Sequence, residues 1–188
     1  MDTSIKRIST AKSRKSKDWK EKAVTWEKFL ELFKTPEVGK ETMDEYLALS
    51  KDKQDALKDV GGFVGGTLKD GIRKAQNVLS RSLITLDLDN MEESDTDEVY
   101  RALDLLGYKA LVYSTRKHKT AKPRLRIVLP LETECSKEEY EPIARRIGSR
   151  IGIDLCDPTT FEASRLMYFP SICKGADYVY KVFDGEEV

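Results

Sequence analysis

Histidine and cysteine are scarce in this chain of 188 residues: there is one histidine, His118, and there are three cysteines, Cys135, Cys156 and Cys173. Without a C-x-x-C pair or a second imidazole, a zinc finger or a histidine-rich metal site cannot be assembled, so any metal has to be held by carboxylates. Three scattered cysteines make no disulfide framework either, which fits a reducing, cytoplasmic compartment. Long apolar runs are also missing. None approaches the roughly 18 residues that span a bilayer, and the basic residues at the N-terminus have no apolar stretch behind them, so neither a membrane segment nor a secretory signal is expected. Nor is there an excess of charge of one sign, since 33 basic residues balance 33 acidic ones. That balance argues against an all-basic nucleic-acid coat and leaves local patches open.

Those patches are present. Residues 1–22 carry Lys6, Arg7, Lys12, Arg14, Lys15, Lys17, Lys20 and Lys22 against Asp2, Asp18 and Glu21. They read as a flexible basic arm, either a tether near phosphates or a solvated tail. Residues 87–98 hold Asp87, Asp89, Glu92, Glu93, Asp95, Asp97 and Glu98 with no base among them. Residues 116–126 hold Arg116, Lys117, Lys119, Lys122, Arg124 and Arg126 with no acid. Brought together by a fold, such segments would offer cation ligands on one side and phosphate ligands on the other.

Apolar periodicity predicts an N-terminal helical segment, residues 23–60. Trp26, Phe29, Leu30 and Phe33 mark the core stripe of a helix over 23–34, and shorter helices follow over 41–49 and 52–60, with Ser50 as a cap. Residues 61–74 contain five glycines but lack the G-K-[ST] of a phosphate loop, and read either as part of a nucleotide site or as a connector. Residues 61–188 form the expected core domain. It has a buried strand over 82–88 and a helix over 95–106 with an Asp95/Glu98 capping box and Gly107 as its stop. Strands over 108–115 and 124–131 follow as a hairpin. A helix opens with a Ser136/Glu139 box and carries Pro142 inside it, and a last strand spans 165–170. The order is that of a ferredoxin-like or RNA-recognition-like βαββαβ fold, an α+β antiparallel core with helices on one face. Residues 178–183 would add an edge strand, and the N-terminal helices would pack alongside.

Asp87 and Asp89 stand two apart at the end of the first core strand, so both carboxylates share one face and meet one volume. A buried strand that delivers two acids to its end is costly unless something neutralises them, and magnesium or manganese beside substrate phosphates takes such ligands. His118 lies at the hairpin tip among six basic residues. Arg124 and Arg126 alternate, so two guanidiniums share one face near the acids. Asp157 precedes the last strand, which opens with Ser164 and Arg165. The bland alternative is a solvated hairpin and a surface D-x-D.

Three motifs in order, ITLDLDN (84–90), YSTRKHKTAKPRLRIVLPL (113–131) and DPTTFEASRLMYFPS (157–171), resemble the archaeo-eukaryotic primase superfamily, in particular the primase-polymerase domains of phage, plasmid and mobile-element replication proteins. The resemblance spans residues 60–183. It implies a DNA primase/polymerase, a nucleotidyltransferase that extends nucleic acid on single-stranded DNA with nucleoside triphosphates and Mg2+ or Mn2+. It further implies that Asp87, Asp89 and Asp157 (or Asp154 in its place) are catalytic metal ligands. His118, Arg165, Ser164, Arg124 and Arg126 would bind the nucleotide or template, and a replicative helicase would act in cis or in trans. One metal would activate a 3′-hydroxyl and a second would clamp the triphosphate. The basic arm and Trp19 would hold the template. Where the second motif of the family has a serine two residues before its histidine, this chain has Arg116. A dehalogenase-type phosphohydrolase built on DLDN would need a parallel sheet, which the hairpin order argues against. A non-catalytic RNA-recognition-like module of a replication complex is the remaining alternative.

Overall fold

The computed structural model describes residues 4–188 and shows an α+β fold of two antiparallel sheets and one small parallel pair. A hairpin of β1 (Ile5–Ala11) and β2 (Lys20–Thr25) opens the chain, followed by α1 (Trp26–Glu31), β3 (Glu37–Val38), α2 (Met43–Ala48) and α3 (Lys51–Leu57). Strands β4 (Gly62–Val64) and β5 (Gly66–Leu68) lead into β6 (Val78–Leu88), α4 (Asp95–Leu106), β7 (Ala110–Ser114), β8 (Leu125–Cys135) and α5 (Lys137–Ile151). The chain closes with β9 (Met167–Tyr168), β10 (Ser171–Ile172) and β11 (Tyr180–Phe183).

The central sheet has the order β11-β7-β8-β6-β5. Its β6-α4-β7-β8-α5 portion is the expected split βαβ arrangement, and β11 is the edge strand expected near residues 178–183, paired with β7. Side chains alternate across this sheet. Ala110, Val112, Ile127 and Leu129 face a core shared with Val99 and Leu103 of α4 and Tyr140, Ala144 and Ile147 of α5. Leu111, Tyr113 and Val128 face a second core built from Ile8, Trp26, Phe29, Phe33 and Phe63. The sheet is therefore buried on both faces, by helices on one side and by the N-terminal layer on the other.

That N-terminal layer differs from the expectation. Residues 5–25 are not an arm but a strand pair within a four-stranded sheet of order β2-β1-β4-β9, while residues 1–3 of the expected arm lie outside the described residues. The β-branched residues of IKRIST, with Val24 and Thr25 opposite, make a ladder that the abundance of lysine concealed. Lys6 is buried, donating to the carbonyl of Leu131 and pairing with Glu187 at 2.7 Å. Trp19 is buried as well, its Nε1–H donating to the Ser16 carbonyl, so it offers no stacking face to a template. The helix expected over 23–34 is shortened because Thr25 caps it, although Trp26, Phe29 and Phe33 form the stripe that periodicity indicated.

Two other expectations are corrected. The capping box at α4 does not form: Ser94 is the N-cap, and the Asp95 carboxylate accepts from the Glu92 backbone instead. The Ser136/Glu139 box does form, and α5 runs unbroken through Pro142, which stands on the exposed face of the helix, one turn after the exposed Glu138 whose carbonyl its missing N–H leaves to solvent. Within the glycine-rich stretch 61–74, residues 69–74 form a 3-10 turn and loop, while residues 62–68 are extended. The extended part leaves one sheet at β4 and joins the other at β5, and a Cβ on Gly66 would stand 1.9 Å from the Ser80 carbonyl oxygen. Close backbone approach is what requires glycine there.

The last strand of the expected core is also displaced. β9 pairs with β4 in the N-terminal sheet, so beyond β5 the outer edge of β6 has no full strand beside it. Other groups satisfy that edge. The Leu83 N–H donates to the Gly65 carbonyl, and the Leu83 carbonyl accepts from Arg81 Nη2 at 2.9 Å. Thr85 N–H donates to the Tyr140 hydroxyl, and the Thr85 carbonyl accepts from the hydroxyls of Thr160 and Tyr140. Asp87 N–H donates to Thr160 Oγ1 at 2.8 Å, and the Asp87 carbonyl accepts from the Asp157 N–H at 2.8 Å. Replacing Thr160 by valine removes the hydroxyl that serves both Asp87 and Thr85. The unfolding free energy from urea denaturation is expected to fall by about 2–3 kcal/mol. Thr160→Ser, which keeps the hydroxyl, is expected to cost clearly less.

Candidate active site

The C-terminal end of β6 and the start of β8 lie side by side, with Asp87 opposite Arg126 in register and Tyr113 of β7 opposite Arg126 on the other flank. The acidic and basic segments of the sequence thus become neighbouring strands. Arg126 Nε approaches Asp87 Oδ1 at 3.3 Å, and Arg124 Nη1 approaches Asp89 Oδ2 at 3.0 Å. Arg165 Nη2 bridges Asp157 Oδ2 at 2.6 Å and Asp87 Oδ2 at 3.4 Å. Asp157 is brought there by its backbone bond to Asp87 and by the Leu88–Cys156 bridge.

These groups open on a cavity of about 240 Å3. Asp87, Asp89 and Asp157 line it together with Arg124, Arg126 and Arg165. The opposite wall comes from outside the three motifs: Tyr46 of α2, Lys51 of α3 and Lys58 behind it, joined by Arg116 and Lys117 from the hairpin loop. Arg116 is ion-paired with Glu41 and lies 5.3 Å from the centre of the Tyr46 ring. Burial opposes ionisation of Glu41, but the bond and charge of Arg116 together with the backbone N–H groups of Glu41 and Lys40 outweigh it and hold the carboxyl below the usual range. Lys117 is shifted the other way. Burial, then the charges of Lys51, Arg124 and Lys58, push its ammonium below the ordinary lysine value.

Asp154 is exposed on a short 3-10 turn and does not line the cavity, whereas Asp157 does. Burial would raise the Asp157 pKa. Hydrogen bonds from the Thr159 backbone and hydroxyl, with Arg165, lower it below the usual carboxylate range. Arg126 is buried too, yet Asp87 and Tyr113 keep its guanidinium firmly charged. Ser164 lies outside the cavity, its carbonyl accepting from Arg73. His118 is also outside the lining. It is buried at the hairpin tip, with Nδ1 accepting from the Arg124 backbone N–H at 3.2 Å. In this structure it braces the strand that carries Arg124 and Arg126 and does not face the cavity.

Three carboxylates at one cavity offer the hard oxygen donors that Mg2+ and Mn2+ take. Asp87 accepts from its two guanidiniums at 3.3–3.5 Å, long for charge-assisted bonds, so its oxygens can accept a shorter ligand. The donor type therefore fits a divalent ion. As the side chains stand, no group of three or more acidic, histidine or cysteine side chains among the described residues is close enough to hold one, because arginines lie between them.

The profile of the VapE N-terminal domain matches residues 1–188. The chain belongs to that family. No curated protein matches it significantly. Among solved structures it is similar to the AEP domain of the cyanophage S-2L primase-polymerase, with a TM-score of 0.48 and 12% identity over 96% of this chain and 81% of that one. No helix among the described residues is long and apolar enough to cross a membrane.

Burial pushes the His118 pKa below 6.5, against a smaller opposite effect of Asp177. In the unfolded chain the imidazole titrates near 6.5, so its contribution to stability is complete above that pH and is lost as pH falls through the lower folded value. The lone imidazole resonance is expected to titrate below 6.5 by NMR. Between pH 6.5 and 5 the unfolding free energy is expected to decline more steeply in the wild type than in His118→Asn, whose side-chain oxygen can accept the same N–H. Parallel curves would assign the decline to other groups.

Proposed function

We propose that this domain is a primase-polymerase: a nucleotidyltransferase that adds nucleotides to a strand on a single-stranded DNA template, in replication proteins of a phage or mobile element. The observation that carries this reading is the convergence of Asp87, Asp89 and Asp157, which are distant in sequence, on one cavity walled by basic side chains. Acids alone would repel a triphosphate, and bases alone would bind it without reaction. Together they suit phosphoryl transfer, where catalysis is mainly positioning and charge neutralisation.

Asp87, Asp89 and Asp157 would hold Mg2+ or Mn2+, which when bound lowers the pKa of an attacking 3′-hydroxyl and offsets the charge of departing pyrophosphate. The remaining tasks fall to the chain itself. Arg165, held by Asp157 and with its Nε–H unpartnered among the described residues, would meet phosphate oxygens, and Arg124 and Arg126 stand beside it to neutralise the triphosphate. Lys51, Lys58 and Lys117 form the far wall against which the phosphates would rest. His118, by bonding the Arg124 backbone, fixes the strand that presents both arginines. A nucleoside triphosphate and a single-stranded template are the implied ligands, and a replicative helicase, in the same chain or separate, is the implied companion.

The test is nucleotide incorporation on single-stranded DNA, with and without a primer, in magnesium or manganese. Product that depends on metal and falls at least about a hundredfold in the Asp87→Ala, Asp89→Ala double variant is the expected result. A folded wild type that binds DNA but makes no product in either metal would replace this reading with that of a non-catalytic binding module.

A further inference from the structure

A second cleft, of about 320 Å3, meets the first at Lys58, Arg126, Arg165 and Tyr168, which line both. Its remaining basic residues are Arg14, from the turn of the β1–β2 hairpin, and Arg73, and its one acid is Glu162. Beyond Arg14 a third hollow continues along Ser13 and Lys15, but Asp52 and Asp59 line it too, so the basic surface ends at the turn that carries Arg14. The hollows share lining residues in sequence, so a basic track leads from the hairpin turn to the carboxylates.

We infer that this track, with Arg14 and Arg73 as its outer contacts, carries the sugar-phosphate backbone of single-stranded DNA to the cavity. The inference deepens the strand-extension reading of that cavity and rests on it. Two buried donors point to a missing acceptor: the Nε–H groups of Arg73 and Arg165 have no hydrogen-bond partner among the described residues. Both guanidiniums are otherwise held in place. Arg73 donates to the Ser164 carbonyl at 3.3 Å and lies over the Trp19 ring, and Arg165 is fixed by Asp157. Arg14 is oriented by Asp55 at 3.3 Å. Phosphate oxygens satisfy such donors at little reorganisation cost. A lone triphosphate does not explain the second cleft, because with a single acid there it has no counterpart to the carboxylate trio. A polymer with phosphates at intervals does. Lys58 and Arg126 lie over the Tyr168 ring, at 5.5 and 5.6 Å, so the aromatic lining of this cleft is itself engaged by cations. Contacts to the backbone alone make the binding independent of sequence.

The experiment is the affinity of the full chain for a labelled oligothymidylate, without nucleotide, across a salt series. Arg14→Gln with Arg73→Gln is expected to weaken binding about tenfold at low salt and to make the slope of log affinity against log salt shallower by about 1.4, the share of two phosphate contacts on a single strand. Arg14→Lys with Arg73→Lys, which keeps the charge, is expected to retain most of the slope and guards against misfolding of the glutamine variant. Arg101→Gln with Arg150→Gln, an equal charge loss on α4 and α5, is expected to leave binding nearly unchanged. A wild type that does not bind, an unchanged glutamine variant, or an equal loss in the α4/α5 variant would overturn the track. Binding that depends on Arg14 and Arg73 in a chain that incorporates no nucleotide would sink the polymerase reading alone. Incorporation without that dependence would sink the track alone.

Discussion

The arrangement of the site depends on how the outer edge of β6 is satisfied. A buried strand edge with idle N–H and C=O groups is too costly to persist, and the strand expected there pairs with β4 instead. Arg81, Thr160, Tyr140 and the backbone of Asp157 take its place, one after another along the edge. Arg81 is the unusual member. It is fully buried with no carboxylate beside it, and its guanidinium is spent on the carbonyls of Gly65, Leu83 and Ala163, the Thr85 hydroxyl, and the face of Tyr140. Burial lowers its pKa. The same set of bonds that completes the edge draws residues 156–165 against β6, and so places Asp157 next to Asp87. Fold and candidate chemistry share one set of hydrogen bonds.

A second constraint is electrostatic. Each cavity carboxylate faces at least one arginine, two of them through neighbouring strands in register and one through the loop that completes the edge. Such pairs are costly to break one-sidedly, because an unpaired buried charge is worse than the pair is good. The carboxylates are therefore already paired as they stand, and any cation that takes them must come with anions that re-engage the arginines. A triphosphate brings such anions.

Much of this was legible in the sequence. The strand ending in Asp87 and Asp89, the helix stopped by Gly107, the Ser136/Glu139 box and the hairpin that sets Arg124 and Arg126 over the acids all follow from local periodicity and capping. What was not legible depends on partners remote in sequence. The ladder of residues 5–25 was hidden because charge dominates its composition while its β-branched positions find their partners only in β4 and the core. Lys51 and Lys58 stand about two helical turns apart on the same face, a spacing that ordinarily marks a solvated surface, and nothing local says that this face closes a cavity. The glycines of 61–66 signal close approach but not what is approached, here the Ser80 backbone. His118 was legible as a position at the hairpin tip, but its burial and its bond to the Arg124 backbone arise only once the loop has folded back.

The two ends of the described chain meet: Ser4 and Lys6 both bond Glu187, and β4, which carries β1 into its sheet, also pairs with β9. During synthesis from the N-terminus, the aromatic stripe of Trp26, Phe29 and Phe33 emerges long before Met167, which helps to cover it. The first layer therefore cannot close until the second half has been made. Contacts of such sequence separation slow folding, and the early layer spends that interval with apolar surface and a strand edge uncovered.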